Sequence, residues 1–501
     1  MKTFFKTVSI LCLLMMASCE QGKQQGAKEE VIALKEEGAY FVSASMGDDN
    51  NPGTKNEPWK SLAKISNTVF EAGSTIYLMS DDVFDGTVTL NGIGTASSPI
   101  TLAAYGKGER PFIKGPDDNV SACVTISDGS SGWRIKGIEI GFGKEGLVVL
   151  SSGVNSYFYF EDLYIHDIRN RTWRDDWSIH NWIKWGHGIL LTGGGYVNDV
   201  TVKNCMFKGN DMDFFPQEVP ADQCTGFHNI LIEGCFFTEC LFNSVYQMPG
   251  YGRTGRNFCI RNCMFYRNGI GDCPYGTTSI LAGLLSGERD ENIVEGNEIG
   301  YQQDIYGSDG CAYDFEYTSS GITFRNNFIH DCYGEAILFM PCVGFKNIVI
   351  ENNLFIHNNK GSKHHRNVIS YNAFEDLMCD VTIRNNRFMR TGDVEMIAPM
   401  DRSAPMPPCL IMENNIDITD PILNTPVVFE KDTNTYIFYC SDPKATLYYT
   451  TDGSVPTKES QPYTGQRLTI TKTTALLCKA FRDGYLPSRT CCAFVSPAQS
   501  R

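Results

Sequence analysis

Two carboxylates stand two residues apart in the segment AYDFE, residues 312 to 316. Side chains at i and i+2 of a β-strand share one face of the sheet, so the two aromatic residues of this segment are predicted to pack inward. Asp314 and Glu316 are then predicted to project outward together. Because two carboxylates held side by side repel each other, the pair predicts either a raised pKa for one carboxyl group or a cation nearby.

An internal repeat determines what lies beside this pair. Eight segments share a short β-branched strand, a turn at Gly or Asn and a second apolar strand: VTVKNCMF, ILIEGCFF, FCIRNCMF, NIVEGNEI, ITFRNNFI, IVIENNLF, VTIRNNRF and LIMENNID. One position of the repeat is occupied in turn by Cys205, Cys235, Cys263, Asn297, Asn327, Asn353, Asn386 and Asn415, at steps of 26 to 34 residues. A period of this length without an internal helical pattern predicts a β-solenoid with one turn per repeat.

The repeated position predicts a polar ladder along the solenoid. Asn side chains stacked in register can hydrogen-bond each other and the backbone of the turns. The three cysteines are interpreted as small core residues of the same ladder. A metal site built from Cys205, Cys235 and Cys263 is the alternative. Since no Cys-x-x-Cys pair accompanies them, no metal site is predicted.

Glu335 follows Asp314 by 21 residues, which is about one turn of the solenoid. Adjacent strands lie about 4.8 Å apart. Glu335 is therefore predicted to approach the carboxylate pair to within the roughly 5 Å that separates the two carboxyl groups of a retaining glycosidase. We expect Asp314 to act as the nucleophile and Glu335 as the acid/base, with Glu316 holding a sugar hydroxyl or tuning a pKa. A solvated acidic face and a Ca²⁺ site are the alternatives.

The repeat, together with AYFVSASMGDDNNPGTKNEPWKSLAKI and GTASSPITLAAYGKGERPFIKG, resembles the right-handed parallel β-helix proteins of polysaccharide-degrading bacteria. The segment SDGCAYDFEYTSSGITFRNNFIHDCYGEAILF resembles a stretch common in their carbohydrate-active members. The resemblance implies an all-β chain with a right-handed parallel β-helix over residues 39–424. Residues 58–71 have helical spacing and are predicted to close its N-terminal end. Glycoside hydrolases, polysaccharide lyases, epimerases and binding proteins all use this fold.

The pattern changes after residue 424. Residues 425–501 contain short strands separated by turn residues, which predicts a small antiparallel β-sandwich. The segments LYYTTDGSVPTKESQPYTG and TTALLCKAFRDGYLPS resemble the chitobiase/β-hexosaminidase C-terminal domain. Because the resemblance implies an accessory module, no catalytic residue is expected in this domain.

An aromatic insertion interrupts the repeat at TWRDDWSIHNWIKWGHG, residues 172 to 188. It holds four of the six tryptophans of the chain, Trp173, Trp177, Trp182 and Trp185. Because aromatic faces stack on the C–H side of sugar rings, these residues are candidate substrate platforms. A short helix that docks its Trp stripe on the solenoid is the alternative. His187 begins a solenoid strand, where it either faces the cleft or is held by a structural hydrogen bond.

Other polar side chains are candidates for binding the substrate. They are Asp213 in NDMDFF, Tyr246 in SVYQM and Arg253. Asp213 lies about three coils from Asp314 if the two share a face, roughly 14 Å, which places it at a neighbouring subsite. In a polysaccharide lyase the base would come from Tyr246, His187, Lys184 or Arg253, and Asp314 and Glu316 would instead hold Ca²⁺.

The N-terminus predicts export. Residues 1–19, MKTFFKTVSILCLLMMASC, combine two lysines, an apolar run and small residues before Cys19. This arrangement indicates a signal peptide, and LMMASC resembles a bacterial lipobox in which Cys19 is lipidated. The polar residues 20–38 are predicted to tether the domain to the outer membrane, on its periplasmic or its outer side. The net charge of −15 disfavours nucleic acid as a partner.

Glycoside hydrolysis is the function that accounts for the export signal, the aromatic insertion and the paired carboxylates together. It requires no cofactor, whereas a lyase would use Ca²⁺. Polysaccharide β-elimination on a uronate-containing glycan is the second hypothesis, and a non-catalytic glycan-binding surface protein is the third. In each case the expected partner is a polysaccharide or an oligosaccharide.

Overall fold

The computed structural model describes the chain from residue 38 onward, with gaps. The described residues are 38–171, 185–216, 225–250, 252–271, 276–304, 309–340, 344–361, 366–371, 378, 380–401, 403 and 406–497. Cys19, the signal segment and all but the last residue of the tether therefore lie outside them. Across the described ranges, no helix is long and apolar enough to cross a bilayer.

Residues 39–417 form a parallel solenoid with three walls, each a long sheet. A coil visits the walls in a fixed order, as in the first-wall strand Val154–Glu161, the second-wall strand Tyr164–His166 and the third-wall strand His187–Thr192. All pairings within the three walls are parallel, as in the register of Glu139 with Tyr164. The all-β solenoid predicted from the repeat is confirmed.

The strand bounds are as follows. The first wall contains Ala39–Val42, Thr75–Met79, Ile100–Tyr105, Trp133–Lys136, Val154–Glu161, Tyr196–Lys203, Gly226–Glu233, Gly255–Arg261, Asn292–Glu295, Ile322–Arg325, Ile348–Glu351, Val381–Arg384 and Leu410–Glu413. The second contains Val83–Asp85, Phe112–Lys114, Glu139–Gly141, Tyr164–His166, Met206–Lys208, Phe236–Thr238, Met264–Tyr266, Glu298–Gly300, Phe328–His330, Leu354–Ile356, Arg387–Met389 and Ile416–Asp417. The third contains Val69–Phe70, Val88–Gly92, Ala122–Ile126, Glu145–Leu150, His187–Thr192, Met212–Pro216, Val245–Gln247, Thr278–Ala282, Cys311–Phe315, Ile337–Phe339, Asn367–Tyr371 and Glu395–Pro399. A small extra sheet pairs Ser319–Ser320 with Phe345–Lys346.

The core runs the length of the solenoid because equivalent apolar residues stack from coil to coil. On the first wall, Val294, Phe324, Ile350 and Ile383 are in register and fully buried. Such columns bury β-branched and aromatic side chains continuously, which is the main favourable term for a repeat that cannot bury its apolar face alone.

The Asn ladder is present as predicted. The Asn327 backbone N–H and side-chain amide both donate to the Asn353 Oδ1 atom, at 2.9 and 3.1 Å. Asn353 repeats the pattern with Asn386, at 2.9 and 3.0 Å. At the other end the Cys263 backbone N–H donates to Asn297 Oδ1 at 2.9 Å, so the cysteines continue the ladder as buried core residues.

The N-terminal helix is shorter than predicted. It covers Leu62–Ser66, where residues 58–71 were expected to be helical, and the Ser61 hydroxyl caps it by accepting from the Lys64 N–H at 3.2 Å. The chain then forms the strand Val69–Phe70, which pairs with Val88–Gly92 of the third wall. Pairing Phe70 into the sheet buries its ring, and this tertiary contact overrides the local helical spacing.

The C-terminal domain packs two antiparallel sheets against each other. One sheet contains Val427–Asp432, Thr435–Tyr439 and Leu468–Thr469; the other contains Gln461–Tyr463, Thr446–Thr450, Thr474–Phe481 and Cys491–Val495. Phe438, Tyr449 and Leu476 are among the buried residues between them. The predicted antiparallel β-domain is confirmed.

This domain is docked on the second wall. Ala475 and Leu477 of the domain pack against Tyr164, Met206 and neighbouring second-wall side chains. At one end of the contact Glu298, fully buried, accepts from Lys479 Nζ at 2.5 Å and from the Thr490 N–H at 2.7 Å.

A second polar contact fixes the other end of this interface. The Glu109 carboxylate accepts from the Thr473 N–H at 2.9 Å, and the Arg110 guanidinium donates to the Thr473 carbonyl at 2.7 Å. With hydrogen bonds at both ends and apolar packing between them, the domain is fixed to the solenoid rather than linked to it by a flexible connection.

Candidate active site

The third wall places Asp314 on the outside of the solenoid. Tyr313 and Phe315 belong to the continuous core, so the side chain between them faces the opposite way, as the alternation predicted. Asp314 is in register with Leu281 of the preceding coil and Leu338 of the following coil.

Four further carboxylates gather around this position. Burial, together with the charges of Glu316, Asp304 and Glu335, raises the pKa of Asp309 to about 8. Burial also raises the pKa of Glu316, although a hydrogen bond with Asp314 opposes that shift. These residues, Asp304, Asp309, Asp314, Glu316 and Glu335, are called the carboxylate cluster below.

The cluster draws on two successive coils. Asp304, Asp309, Asp314 and Glu316 belong to one coil, and Glu335 precedes the third-wall strand of the next. Cys311 lies among them, and burial together with the charges of Asp314, Asp309 and Glu335 raises the pKa of its thiol. Glu335 acts on both Asp309 and Cys311, and its approach to within roughly 5 Å of Asp314 or Glu316 stays a prediction.

Asp309 is held in place by close backbone contacts. Its N–H donates to Asp304 Oδ2 at 2.8 Å. Gly276, in the preceding coil, has a φ of +92°, and a Cβ added there would overlap the Asp309 carboxylate. A Cβ added at Gly334 of the next coil would likewise overlap the Asp309 carbonyl. Glycine is therefore required on both sides, and the turn leaves Asp309 little freedom to move.

The residues of the cluster differ in their access to solvent. Asp314 is 2% exposed and Glu335 1% exposed, whereas Asp309 and Glu316 are partly exposed. Ser370 Oγ donates to Glu335 Oε1 at 3.2 Å, which fixes that carboxylate from the following coil. The expected nucleophile and acid/base, Asp314 and Glu335, thus lie beneath the more accessible pair, and their catalytic roles stay predictions.

The ionisable groups of the carboxylate cluster all carry charge of the same sign. Among the described residues, the charges that act on Asp309 are those of Glu316, Asp304 and Glu335, and each raises its pKa. Across the described residues, no group of three or more His, Cys, Asp or Glu side chains has a geometry that could hold a metal ion. Such a group of acids retains protons at neutral pH and stabilises positive charge that develops beside it.

The tryptophan insertion is described only at its end. Trp173, Trp177 and Trp182 lie outside the described residues. Trp185 is buried and stacks on Phe242 with ring centroids 4.3 Å apart. It packs into an outer apolar cluster over the third wall, so the docking alternative fits Trp185 better than a sugar platform.

Tyr246 belongs to the same outer apolar cluster. It lies two coils before Asp314 and is in register with Leu281 of the coil between them, but its side chain is buried. Its ring contacts Phe215 edge-on, with centroids 4.8 Å apart. The expectation that Tyr246 contacts substrate is therefore corrected: its ring forms part of a second packing layer.

His187 is held by a structural hydrogen bond. Its Nδ1 atom lies 2.8 Å from Glu145 Oε2, and its ring stacks on Phe215 with centroids 4.7 Å apart. The side chain is buried. Of the two alternatives for His187, the structural hydrogen bond is the one observed.

Asp213 and Arg253 do not join the carboxylate cluster. Asp213 is fully buried inside the solenoid, where it accepts from Asn210 Nδ2 at 2.9 Å, and burial raises its pKa to about 7. It therefore does not share the outer face with Asp314. Arg253 donates to the Gly194 carbonyl and lies over the Tyr196 ring at 5.8 Å, next to the first wall.

Asp309 is the residue that sequence analysis missed. It precedes the third-wall strand and so lies outside the alternating pattern that identified Asp314 and Glu316. The available signal was the pair Asp309-Gly310, an acidic residue next to a glycine just before the AYDFE strand.

Comparison with known proteins agrees with this architecture. Residues 187–388 match the family described as the right handed beta helix region, and residues 430–491 match the chitobiase/beta-hexosaminidase C-terminal domain. The solenoid is a right-handed β-helix. Both resemblances inferred from the sequence are confirmed, and the β-helix is followed by a chitobiase-type domain.

Individual relatives are carbohydrate-active proteins. A stretch of 113 residues, 21% of this chain, is 33% identical to a lacto-N-biosidase of Bifidobacterium longum subsp. longum, and it covers 7% of that relative. The crystal structure of a GH136 lacto-N-biosidase from Eubacterium ramulus is similar with a TM-score of 0.54 and 18% identity, over 76% of this β-helix chain and 67% of the other. Its selenomethionine derivative gives a TM-score of 0.52 over the same shares.

Proposed function

We propose that this β-helix protein is a glycoside hydrolase that cleaves its substrate at the carboxylate cluster. The observation that carries the proposal is the gathering of carboxylates on the outer face of the third wall, where Asp309 and Glu316 are partly exposed and the charge of Glu316 helps to raise the pKa of Asp309. The 33% identity to a lacto-N-biosidase supports the same class of reaction. Glycosidases place two carboxylates beside the scissile bond, with one protonated and the other ionised.

Asp309 is the proposed proton donor. A pKa of about 8 keeps its carboxyl group protonated at neutral pH, as protonation of a leaving oxygen requires. Glu316 is the proposed ionised partner, which attacks the anomeric carbon or activates water. Because the two groups interact, the proton belongs to the pair, and its two titration steps are properties of both residues.

Asp314 and Glu335 are assigned a supporting role in this mechanism. Their near-complete burial places them behind Asp309 and Glu316. The charge of Glu335 helps to keep the proton on Asp309, and Asp314 shares a hydrogen bond with Glu316. This assignment changes the roles expected from the sequence, in which Asp314 was the nucleophile and Glu335 the acid/base. The residues of the site remain the same, with Asp309 added.

The sign of the charge favours hydrolysis over β-elimination. Glycoside hydrolysis passes through a transition state with oxocarbenium-ion character, which carries positive charge. A cluster of carboxylates, such as the one that acts on Asp309 among the described residues, stabilises that charge. Elimination from a uronate instead builds negative charge beside a carboxyl group, which the same cluster would oppose unless Ca²⁺ were bound.

The names of the relatives suggest a first substrate to test. Two of them are lacto-N-biosidases, so the oligosaccharides that such enzymes cleave are the proposed first substrates. A broader panel of neutral and uronate-containing glycans completes the test. New reducing ends without unsaturated products would support hydrolysis. Unsaturated uronate products that disappear with EDTA would identify a lyase and overturn the proposal, and so would the absence of any cleavage.

Export to the outer membrane is also proposed, from the N-terminal segment alone. Lipidation of Cys19 would anchor the protein in that membrane through the tether of residues 20–38. A Cys19→Ala variant expressed in a Gram-negative host is then expected to lose incorporation of labelled fatty acid and to leave the membrane fraction. Equal labelling of the variant and the wild type would contradict lipidation at this residue.

A further inference from the structure

Tyr157 has an unusual backbone conformation on the first wall. Its φ is +70°, in the left-handed region that a bulky side chain enters only at a cost. In the next three coils the position in register is occupied by Asp199, Asn229 and Asn257, which also have positive φ. Asn and Asp are the residue types, after Gly, that tolerate this region best.

The later members of this column support each other through side-chain hydrogen bonds. Asn257 Nδ2 donates to Asn229 Oδ1 at 2.6 Å, and Asn229 Nδ2 donates to Asp199 Oδ1 at 2.7 Å. Tyr157 occupies the next place in this ladder, where an Asn would extend it. The tyrosine is 48% exposed, so burial of its ring does not offset the conformational cost.

The surroundings of Tyr157 form a shallow pocket of about 380 Å³. It is lined by Tyr157, Tyr159, Arg134, Asp199, Thr201 and Thr95, among others. The Arg134 guanidinium lies over the Tyr159 ring, 4.6 Å from its centroid, and holds this partly exposed ring in place. Two aromatic rings and several hydroxyl or carboxylate groups thus meet on one open surface.

From this arrangement we infer that Tyr157, Tyr159 and Arg134 form an auxiliary glycan-binding platform on the first wall. Exposed aromatic faces stack on the C–H side of a pyranose ring, and the polar groups around them bind its hydroxyls. The platform lies on a different wall from the carboxylate cluster, which belongs to the third wall. It binds glycan whether or not the carboxylate cluster is catalytic.

The charges at the platform select a neutral glycan. Arg134 is already paired with Glu161, at 3.4 Å, and Asp199 adds a negative charge to the pocket. Among the described residues, Arg134 and Asp199 are the charged groups that line the pocket, so it offers no excess positive charge to a uronate or sulfate group. The ligand class is therefore an uncharged oligosaccharide or polysaccharide segment.

Affinity electrophoresis of the full chain tests the platform. The Glu316→Gln variant, used to prevent cleavage, is run in gels that contain soluble β-glucan, xyloglucan or galactomannan, with polygalacturonate as the charged comparison. Retardation by at least one neutral polysaccharide is expected. Adding Tyr157→Asn should weaken the affinity for that polysaccharide about tenfold, equivalent to about 1.4 kcal/mol. Tyr157→Phe should preserve the affinity.

Thermal unfolding of the same variants separates binding from structure. Because Asn tolerates a positive φ and extends the ladder to Asp199, Tyr157→Asn should unfold at the same temperature as the parent or a higher one. Tyr439→Asn, at another exposed tyrosine, serves as the control and should leave the retardation unchanged. No retardation by any neutral polysaccharide, unchanged retardation in Tyr157→Asn, or a lower unfolding temperature for that variant would each overturn the inference.

Discussion

Asp309 and Glu316 are seven positions apart in the chain, yet the charge of Glu316 is, after burial, the largest contribution to the raised pKa of Asp309. The two residues flank the strand Cys311–Phe315, whose outward side chain is Asp314. The β-helix brings Glu335 of the next coil to the same place. The proposed chemistry follows from this concentration of acids in a partly buried position.

The pH dependence of activity follows from the same relationship. Asp309 must be protonated, so kcat/KM is expected to fall as pH rises through about 8, the pKa of its carboxyl group. Glu316 must be ionised, and its raised pKa places the acid limb above the ordinary glutamate value of about 4.3. A bell-shaped profile measured across this range would agree. Full activity well above pH 8 would exclude Asp309 as the proton donor.

The Asp309→Asn variant should lose activity but gain stability. A carboxyl group whose pKa is raised in the folded state destabilises the fold at any pH where the unfolded chain is ionised. Asp309→Asn removes this cost, so its unfolding temperature at pH 7 should rise by about 2 °C or more. The gain should shrink as pH falls through about 4, where the unfolded carboxyl group also becomes protonated.

Scanning calorimetry at several pH values measures this effect. Asp483→Asn is the matched control, because Asp483 is fully exposed and its substitution should leave the unfolding temperature nearly unchanged. A lower unfolding temperature for Asp309→Asn than for Asp483→Asn at pH 7 would mean that the Asp309 carboxyl group stabilises the fold, which contradicts a cost from its burial among like charges.

A buried ion pair between Glu298 and Lys479 contributes to the contact between the two domains. Burial by itself would raise the pKa of Glu298, but the Lys479 ammonium and the hydrogen bond with His330 hold it at about 2. Lys479→Ala leaves that carboxylate buried without its lysine partner, which should cost about 3–5 kcal/mol of unfolding free energy. Chemical denaturation measures the loss, and exposed Lys458→Ala provides the control.

Acid should weaken the same contact. Because the pKa of Glu298 is lowered, its stabilisation is complete above the unfolded pKa of about 4.5 and is lost as pH falls towards 2. The difference in stability between Lys479→Ala and the wild type should therefore narrow over that interval. A constant difference would show that the charge of Glu298 is not what Lys479 compensates.

The Asn ladder gives a prediction about the solenoid itself. Asn353→Ala removes the acceptor of the Asn327 backbone N–H and leaves that buried donor unpaired. Each such orphaned group costs about 1–3 kcal/mol, so the midpoint of chemical denaturation should fall clearly. Exposed Asn424→Ala is expected to change it little. An unchanged midpoint in Asn353→Ala would mean that the ladder does not stabilise the coils.

The architecture could be predicted because it repeats. Asn353 and its equivalents recur with every coil, so a single position revealed the stacking of the coils and the ladder they share. The spacing of one coil between Asp314 and Glu335 followed from the same period. In a solenoid, sequence distance and spatial distance are linked by the repeat length.

The details of the site could not be predicted because they depend on contacts outside the repeat. Alternation identified the outward face of the third wall, but it could not reveal that a second apolar layer covers Tyr246 and Trp185 on that face. Asp309 lies in a turn, and its place near Glu316 depends on its contact with Gly276 of the preceding coil. The helix predicted at 58–71 covers only Leu62–Ser66, because the pairing of Phe70 with Gly92 on the third wall decided the structure beyond it.

Comparison of catalytic rates among carboxylate variants tests the central claim most directly. On any glycan that the wild type cleaves, Asp309→Asn and Glu316→Gln are each expected to lower kcat by about 1,000-fold or more, with little change in KM. Asp483→Asn should retain full activity. Cleavage by Asp309→Asn and Glu316→Gln at close to the wild-type rate would contradict the proposal that this carboxylate pair performs the reaction.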